Sequence, residues 1–249
     1  MKRLLFIAGP LPALILMFSI QNSVAGSATW KTSPNSGDWN TATNWMPPTV
    51  PNAPSDTATF ATSNRTAVSI SANTEVDGIV FNANANAFRV TARARFVLTI
   101  SGVGITNNSG TVQNFVTAVS TTGRQSEIQF TNGATAGNLT VFTNNDNPVS
   151  GLGGSVTQFF GTSSAGNATF VNKSGTNGSG SGGGGMTFND ASTAGFGTFI
   201  NTSPLPGNGP PFIFFNNSST AGAGTFTNGG LLAFGDTSTA GNGTFMNNG

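Results

Sequence analysis

Cysteine, histidine and tyrosine are absent, which removes disulfides, thiol nucleophiles, Cys/His zinc sites and histidine general bases from consideration. Charge is nearly as scarce: nine Lys and Arg face eight Asp and Glu, 7% of 249 residues. So few cations cannot build a surface that grips nucleic acid. What fills the chain is glycine, at 34 residues, with 21 Phe, 3 Trp and much Ser, Thr and Asn. A glycine-rich polar composition alone would suit disorder, but disordered chains avoid aromatics, and here aromatics make up 10% of the residues. An all-β fold punctuated by glycine is expected.

Residues 1–25 have the layout of a secretory signal. Lys2 and Arg3 form the positive start, Leu4–Ile20 is apolar, and Ser23, Val24 and Ala25 supply small residues before the cleavage point. The mature chain is expected to begin near Gly26. A retained membrane anchor is the alternative, but Pro10 and Pro12 interrupt an apolar run that is already short for a span. Losing Lys2 and Arg3 leaves seven basic against eight acidic residues. Electrostatic attraction to an anionic partner then has little to work with.

Residues 26–62 stand apart as a Trp- and Pro-rich cap. Trp30, Trp39 and Trp45 fit no helix face, and the Pro, Gly, Asn and Asp between them form turns. Burial as a plug over the first coil is expected, because three exposed tryptophans would be a large apolar liability. An aromatic glycan-contact platform made of the same three rings is the functional alternative. Residues 63–128 carry short alternating runs, such as Val68-Ser69-Ile70 and Phe96-Val97-Leu98-Thr99-Ile100, and read as irregular β-helix coils.

From 129 to 249 one unit recurs five times, with Ala-Gly pairs at 136–137, 165–166, 194–195, 221–222 and 240–241. Counting from each Gly, Phe stands at −7 throughout: Phe130, Phe159, Phe188, Phe215 and Phe234. Thr stands at +3, then Val141 or Phe170, Phe199, Phe226 and Phe245 at +4, and Asn at +6 in the last four units. The consensus is F-x-x-x-S-T-A-G-x-G-T-F-x-N. A unit as short as 19 residues, the spacing of the last two copies, cannot enclose a core alone and must stack on its neighbours.

Strand one points apolar pairs such as Ile128/Phe130 and Met186/Phe188 inward, with Thr157 the exception ahead of Phe159. Coils stacked about 4.8 Å apart would align the phenylalanines in two ladders and the asparagines in a third. The handedness of crossover connections predicts a right-handed parallel β-helix. Insertions between units, including 177–185 and 204–211, all fall at one corner and read as flexible or extended polar spacer.

Few residues suit catalysis. Glu75 and Asp77 share a strand face and read as a solvated edge, and Asp190 and Asp236 occupy a repeated turn position. The glycines at 182–185 lack the Lys and Ser/Thr of a phosphate loop. Arg89, Arg93 and Arg95 cluster near one strand, as a lyase base would require, but without a companion acidic metal site. The threonines at +3 could line an ice-binding face, yet Val171, Ile200, Thr227 and Met246 follow them without a regular T-x-T array. No catalytic residue, metal or cofactor is expected.

The run ATW…SGDW…NW…VPN…SDTATF, then EVDGIVFN and the STAG units, resembles bacterial autotransporter passenger domains of the β-strand-repeat type over nearly all of the mature chain. The resemblance implies a surface-displayed, adhesive β-helix carried by a C-terminal outer-membrane barrel. No barrel-like strands occur before Gly249, so an N-terminal fragment of a longer chain is expected. The expected function is a non-catalytic stalk or adhesin at the cell surface, meeting host or environmental glycans or proteins and capable of self-association. A secreted polysaccharide-active β-helix enzyme and a free glycan-binding module using Trp30, Trp39 and Trp45 are the alternatives.

Overall fold

In a computed structural model, residues 26–176 and 180–248 are described. The expected export signal, and Asn177, Gly178 and Ser179 of one insertion, lie outside them. Strands of two sheets alternate along the chain, so each strand of one sheet is the crossover between two parallel neighbours of the other. Glu127–Phe130 lies in a ten-stranded sheet, Thr140–Asn144 in an eight-stranded sheet, and Val156–Phe159 returns beside Glu127–Phe130. Repetition of this path makes a parallel β-solenoid of about seven turns. Among the described strands one pair is antiparallel, Ala28–Trp30 with Trp45–Met46 at the N-terminal edge of the first sheet, and an isolated antiparallel bridge joins Ser150 to Ser181 in the insertions.

The repeat motif accounts for the corner between the sheets residue by residue. The Ser hydroxyl is buried and donates to the carbonyl of the ladder phenylalanine one coil earlier, as Ser163 does to Phe130 (3.2 Å) and Ser219 to Phe188 (3.2 Å). The next Thr or Ser continues a column of parallel bridges, Thr135 to Ser164 to Thr193 to Thr220 to Thr239. Its side chain also accepts from the Gly N–H two residues on, as Thr193 does from Gly195 at 3.0 Å. Ala136, Ala165, Ala194 and Ala221 are fully buried in a corner that larger side chains would not enter. Gly takes positive φ, 59° at Gly195, where a Cβ would stand 2.9 Å from the carbonyl oxygen of Gly166. An L-residue would meet both backbone strain and a clash there.

The first unit departs from the register expected on spacing. Phe142, not Val141, pairs with Phe170 and enters the ladder, and Asn144 pairs with Asn172. The extra residue is taken up in the turn by Leu139, which adopts φ 50° and is 45% exposed. Strand alternation forces this solution. A one-residue slip would turn Phe142 to solvent, so the loop absorbs the difference.

The core is one continuous run of aromatic rings, to which the partly exposed Phe234 and Phe245 are added by stacking. On the first sheet Phe130, Phe159, Phe188, Phe215 and Phe234 stack at centroid spacings of 4.7–4.9 Å. On the second, Phe115, Phe142, Phe170, Phe199, Phe226 and Phe245 do the same at 4.6–5.2 Å. The two ladders meet edge to face, for example Phe188 on Phe199 at 5.8 Å. Both orientations suit the ring quadrupole. Phe115 joins them to Phe81, and Phe60 in turn joins Phe81 to Trp45.

A buried amide ladder runs beside the rings. Asn144 Nδ2 donates to Asn172 Oδ1 (2.8 Å), Asn172 to Asn201 (2.8 Å) and Asn201 to Asn228 (2.9 Å). Thr157, the polar exception in strand one, donates to Asn144 Oδ1 at 2.8 Å, where the Ile or Met of other coils could not.

The insertions are stacked structure rather than free spacer. Gly151 N–H donates to the Gly180 carbonyl, Gly180 to Gly207 and Gly175 to Gly209. A Cβ at Gly183 would fall 2.4 Å from the nitrogen of Pro211, and one at Gly184 2.3 Å from the Asn144 carbonyl oxygen. The glycine run therefore permits close approach of neighbouring loops, and the expectation of flexible spacer is corrected for the described part of this corner.

Candidate functional site

Trp30, Trp39 and Trp45 are each at most 1% exposed. Their rings pack edge to face, Trp30 on Trp45 at 5.0 Å and Trp39 on Trp45 at 4.9 Å. Their N–H groups donate inward to carbonyls, Trp30 to Arg65, Trp39 to Pro51 and Trp45 to Trp39. Buried Asn44 ties the plug together, donating to Ser36 Oγ and the Asp38 carbonyl. The glycan-contact reading of these three residues is thereby corrected: no ring face is left for a sugar, because burying the rings closes the first coil. Acrylamide quenching of tryptophan emission is expected to be weak while the chain is folded, with no emission shift on adding any glycan. A saturable shift under native conditions would contradict this.

Glu75 and Asp77 are half-buried on the outer face of the first sheet, in Thr74–Phe81. Glu75 lines a depression of about 420 Å³ with Asn52, Asn73, Val97, Thr99 and Gln129. Arg89 and Arg93 lie with the second sheet, both exposed, in a depression they share with Ser36, Asp38 and Thr91. Arg95 sits in a left-handed turn at φ 86°. The sequence-adjacent acids and the arginines are thus on different sheets. Among the described residues no group of three or more carboxylates converges on a point.

Asp190 and Asp236 occupy left-handed turns at φ 55° and 52°, in one column with Asn132, Gly161 and Asn217. Their carboxylates accept backbone N–H groups of the previous coil, from Gly161 at 2.8 Å and Asn217 at 2.7 Å. This accounts for short polar side chains in that column.

Two outward faces remain. On the second sheet, Thr169, Thr198, Thr225 and Thr244 form a single file in register, beside Val171, Ile200, Thr227 and Met246. On the first sheet, register aligns Glu75, Thr99, Gln129, Gln158, Thr187, Phe214 and Ala233 in one column. Val97, Glu127, Val156, Gly185, Phe212 and Leu231 form the column beside it.

The amides of the first sheet's face are linked. Gln129 Nε2 donates to Glu127 (2.9 Å) and to Gln158 Oε1 (3.4 Å), and Gln158 Nε2 donates to Thr187 Oγ1 (3.3 Å). Asn189 Nδ2 also donates to Thr187, and Asn216 Nδ2 to Asn189 Oδ1. Beyond them Phe212 and Phe214 stack on each other at 4.9 Å and 27°.

These side chains have no role in a reading of the sequence that rests on the inward residues of each strand. Period-two alternation contained the signal. The outward residue between the apolar pair is Gln129, Gln158, Thr187 and then Phe214, an aromatic where a polar residue belongs. Comparisons with protein-family models, curated proteins and solved structures find no match for this chain.

Proposed function

We propose that the chain is a non-catalytic stalk and adhesin segment of an exported surface protein, of the kind that autotransporter passengers provide. The observation that carries this reading is the repetition of outward columns along a rod with a continuous aromatic interior. Each coil presents the same side-chain positions about 4.8 Å from the last, so weak contacts add along the axis as in any multivalent binder. The basic start, apolar run and small residues of 1–25 support export. In this reading a longer chain supplies the outer-membrane barrel, and the partners are glycans or proteins of a host or environmental surface.

The test compares monomer in solution with chain displayed densely on beads, against surfaces coated with polysaccharides or matrix proteins. Adhesion of the beads with little retention of the monomer is the expected result. An activity screen on acidic polysaccharides runs beside it. Turnover that disappears in Asp77→Ala or Arg93→Ala would overturn the reading in favour of an enzyme.

A further inference from the structure

We propose that the outer face of the first sheet, from Gln129 to Phe214, is a binding track for a linear neutral glycan. The proposal rests on the adhesin reading and names its ligand class. Register brings Gln129, Gln158, Thr187 and Phe214 side by side on four successive strands, a line of about 14 Å parallel to the solenoid axis. That length suits an oligosaccharide better than a single sugar.

The aromatic end of the track depends on a particular glycine. A Cβ at Gly185 would lie 2.3 Å from Cε1 and Cζ of Phe212, so this ring rests on the sheet only because its neighbour across the strand has no side chain. Gly185 breaks a column otherwise made of Val97, Glu127, Val156, Phe212 and Leu231. The rings of Phe212 and Phe214 are half-buried on the outside of the solenoid and belong to neither interior ladder. Folding the coil requires neither of them, since Ile213 and Phe215 fill the inward positions.

The polar part supplies what a ring pair lacks. Gln129 and Asn189 spend both amide N–H groups on contacts within the protein, which leaves one N–H of Gln158 and free lone pairs on the carbonyls of Gln129, Gln158 and Asn189 to meet sugar hydroxyls. Those contacts fix the amides in advance and reduce the entropy lost on binding. Sugars match this surface because their rings have C–H-rich faces and hydroxyl edges, which suit an aromatic and an amide in sequence.

Charge selects the neutral class. Gln129, Gln158, Thr187, Asn189, Phe212, Phe214 and Asn216 are uncharged. The nearest charged positions in the two columns are Glu127 and Glu75, both anionic. A uronic acid or sulfated polymer would meet repulsion, whereas Arg89 and Arg93 belong with the other sheet.

The experiment is native affinity electrophoresis of the purified chain in gels containing mixed-linkage β-glucan, xylan or galactomannan, with alginate as the acidic comparator. Retardation by at least one neutral polymer and none by alginate is expected. Retardation should fall at least fivefold in Phe212→Ala and Phe214→Ala, survive in Phe214→Trp, and be unchanged in Thr225→Ala on the opposite face. Far-UV circular dichroism and melting temperature identify any variant that has lost its fold, and Gln158→Ala is an independent test within the polar stretch. Absence of retardation in every neutral gel, or equal retardation of the folded alanine variants, would overturn the track. If dense beads still adhere to protein-coated surfaces in that case, the adhesin reading stands without it; if they adhere to nothing, both fall.

Discussion

Replacing Phe188 by alanine is expected to lower stability by about 3–5 kcal/mol, the range for deleting a fully buried aromatic. Phe188 stacks on Phe159 at 4.8 Å and Phe215 at 4.7 Å and meets Phe199 edge to face. Deletion therefore removes three ring contacts and leaves a void between two coils that backbone hydrogen bonds hold in register. Each coil of a solenoid touches only its neighbours, so the loss should stay local. Hydrogen exchange should accelerate from about Val156 to Asn228, while the tryptophan-capped coils keep their protection. Phe196→Ala is the control: that ring is 74% exposed, and its removal should change stability by no more than about 0.5 kcal/mol. A uniform rise in exchange over the whole chain would show that the coils unfold as one unit.

Asn172→Ala is expected to cost roughly 2–6 kcal/mol although it removes only a small polar side chain. The amide accepts from Asn144 at 2.8 Å and donates to Asn201 at 2.8 Å, all three buried. Truncation strands a donor on one side and an acceptor on the other, at about 1–3 kcal/mol each. Urea unfolding of the variant measures the sum, and a change below about 1 kcal/mol would mean that water enters and replaces the amide.

Asn172→Asp probes the same ladder through charge. A carboxylate there still accepts from Asn144 but faces the acceptor oxygen of Asn201 in a buried setting, so the protonated form, which can donate, is favoured. Its pKa in the folded chain lies above the unfolded value of about 3.9. The variant should therefore be most stable below that value and lose stability as pH rises toward neutrality. Measuring its urea midpoint across this range, against the wild type, gives the sign.

Much of the repeat region can be read from residue order because each side chain acts in a local pattern. Phe at −7 and the STAG corner have the roles that alternation and turn chemistry assign them, and the turn position of Asp190 and Asp236 follows the same logic. In the first unit, counting from the Gly puts Thr140 and Val141 one column out, because it cannot see the extra residue absorbed at Leu139. Thr157 is an exception to the apolar pattern only along the chain, because its hydroxyl meets Asn144 of the preceding strand, which belongs to the other sheet. The candidate face was missed for a similar reason: Gly185 and Phe212 are 27 residues apart, and only the coil register puts one over the other.

By itself the sequence determined the repeat, the corner residues, and the inward and outward sense of the strands in the last four units, because these follow from a period of two and from the conformations open to Gly, Asn and Asp. Tertiary structure decided which columns lie side by side, and so whether an aromatic is core or surface. Trp30, Trp39 and Trp45 went inside because the first coil needed a lid. Phe212 and Phe214 stayed outside because Ile213 and Phe215 had already filled the interior. Burial in a solenoid is settled between coils, through contacts whose spacing in the chain varies with every insertion.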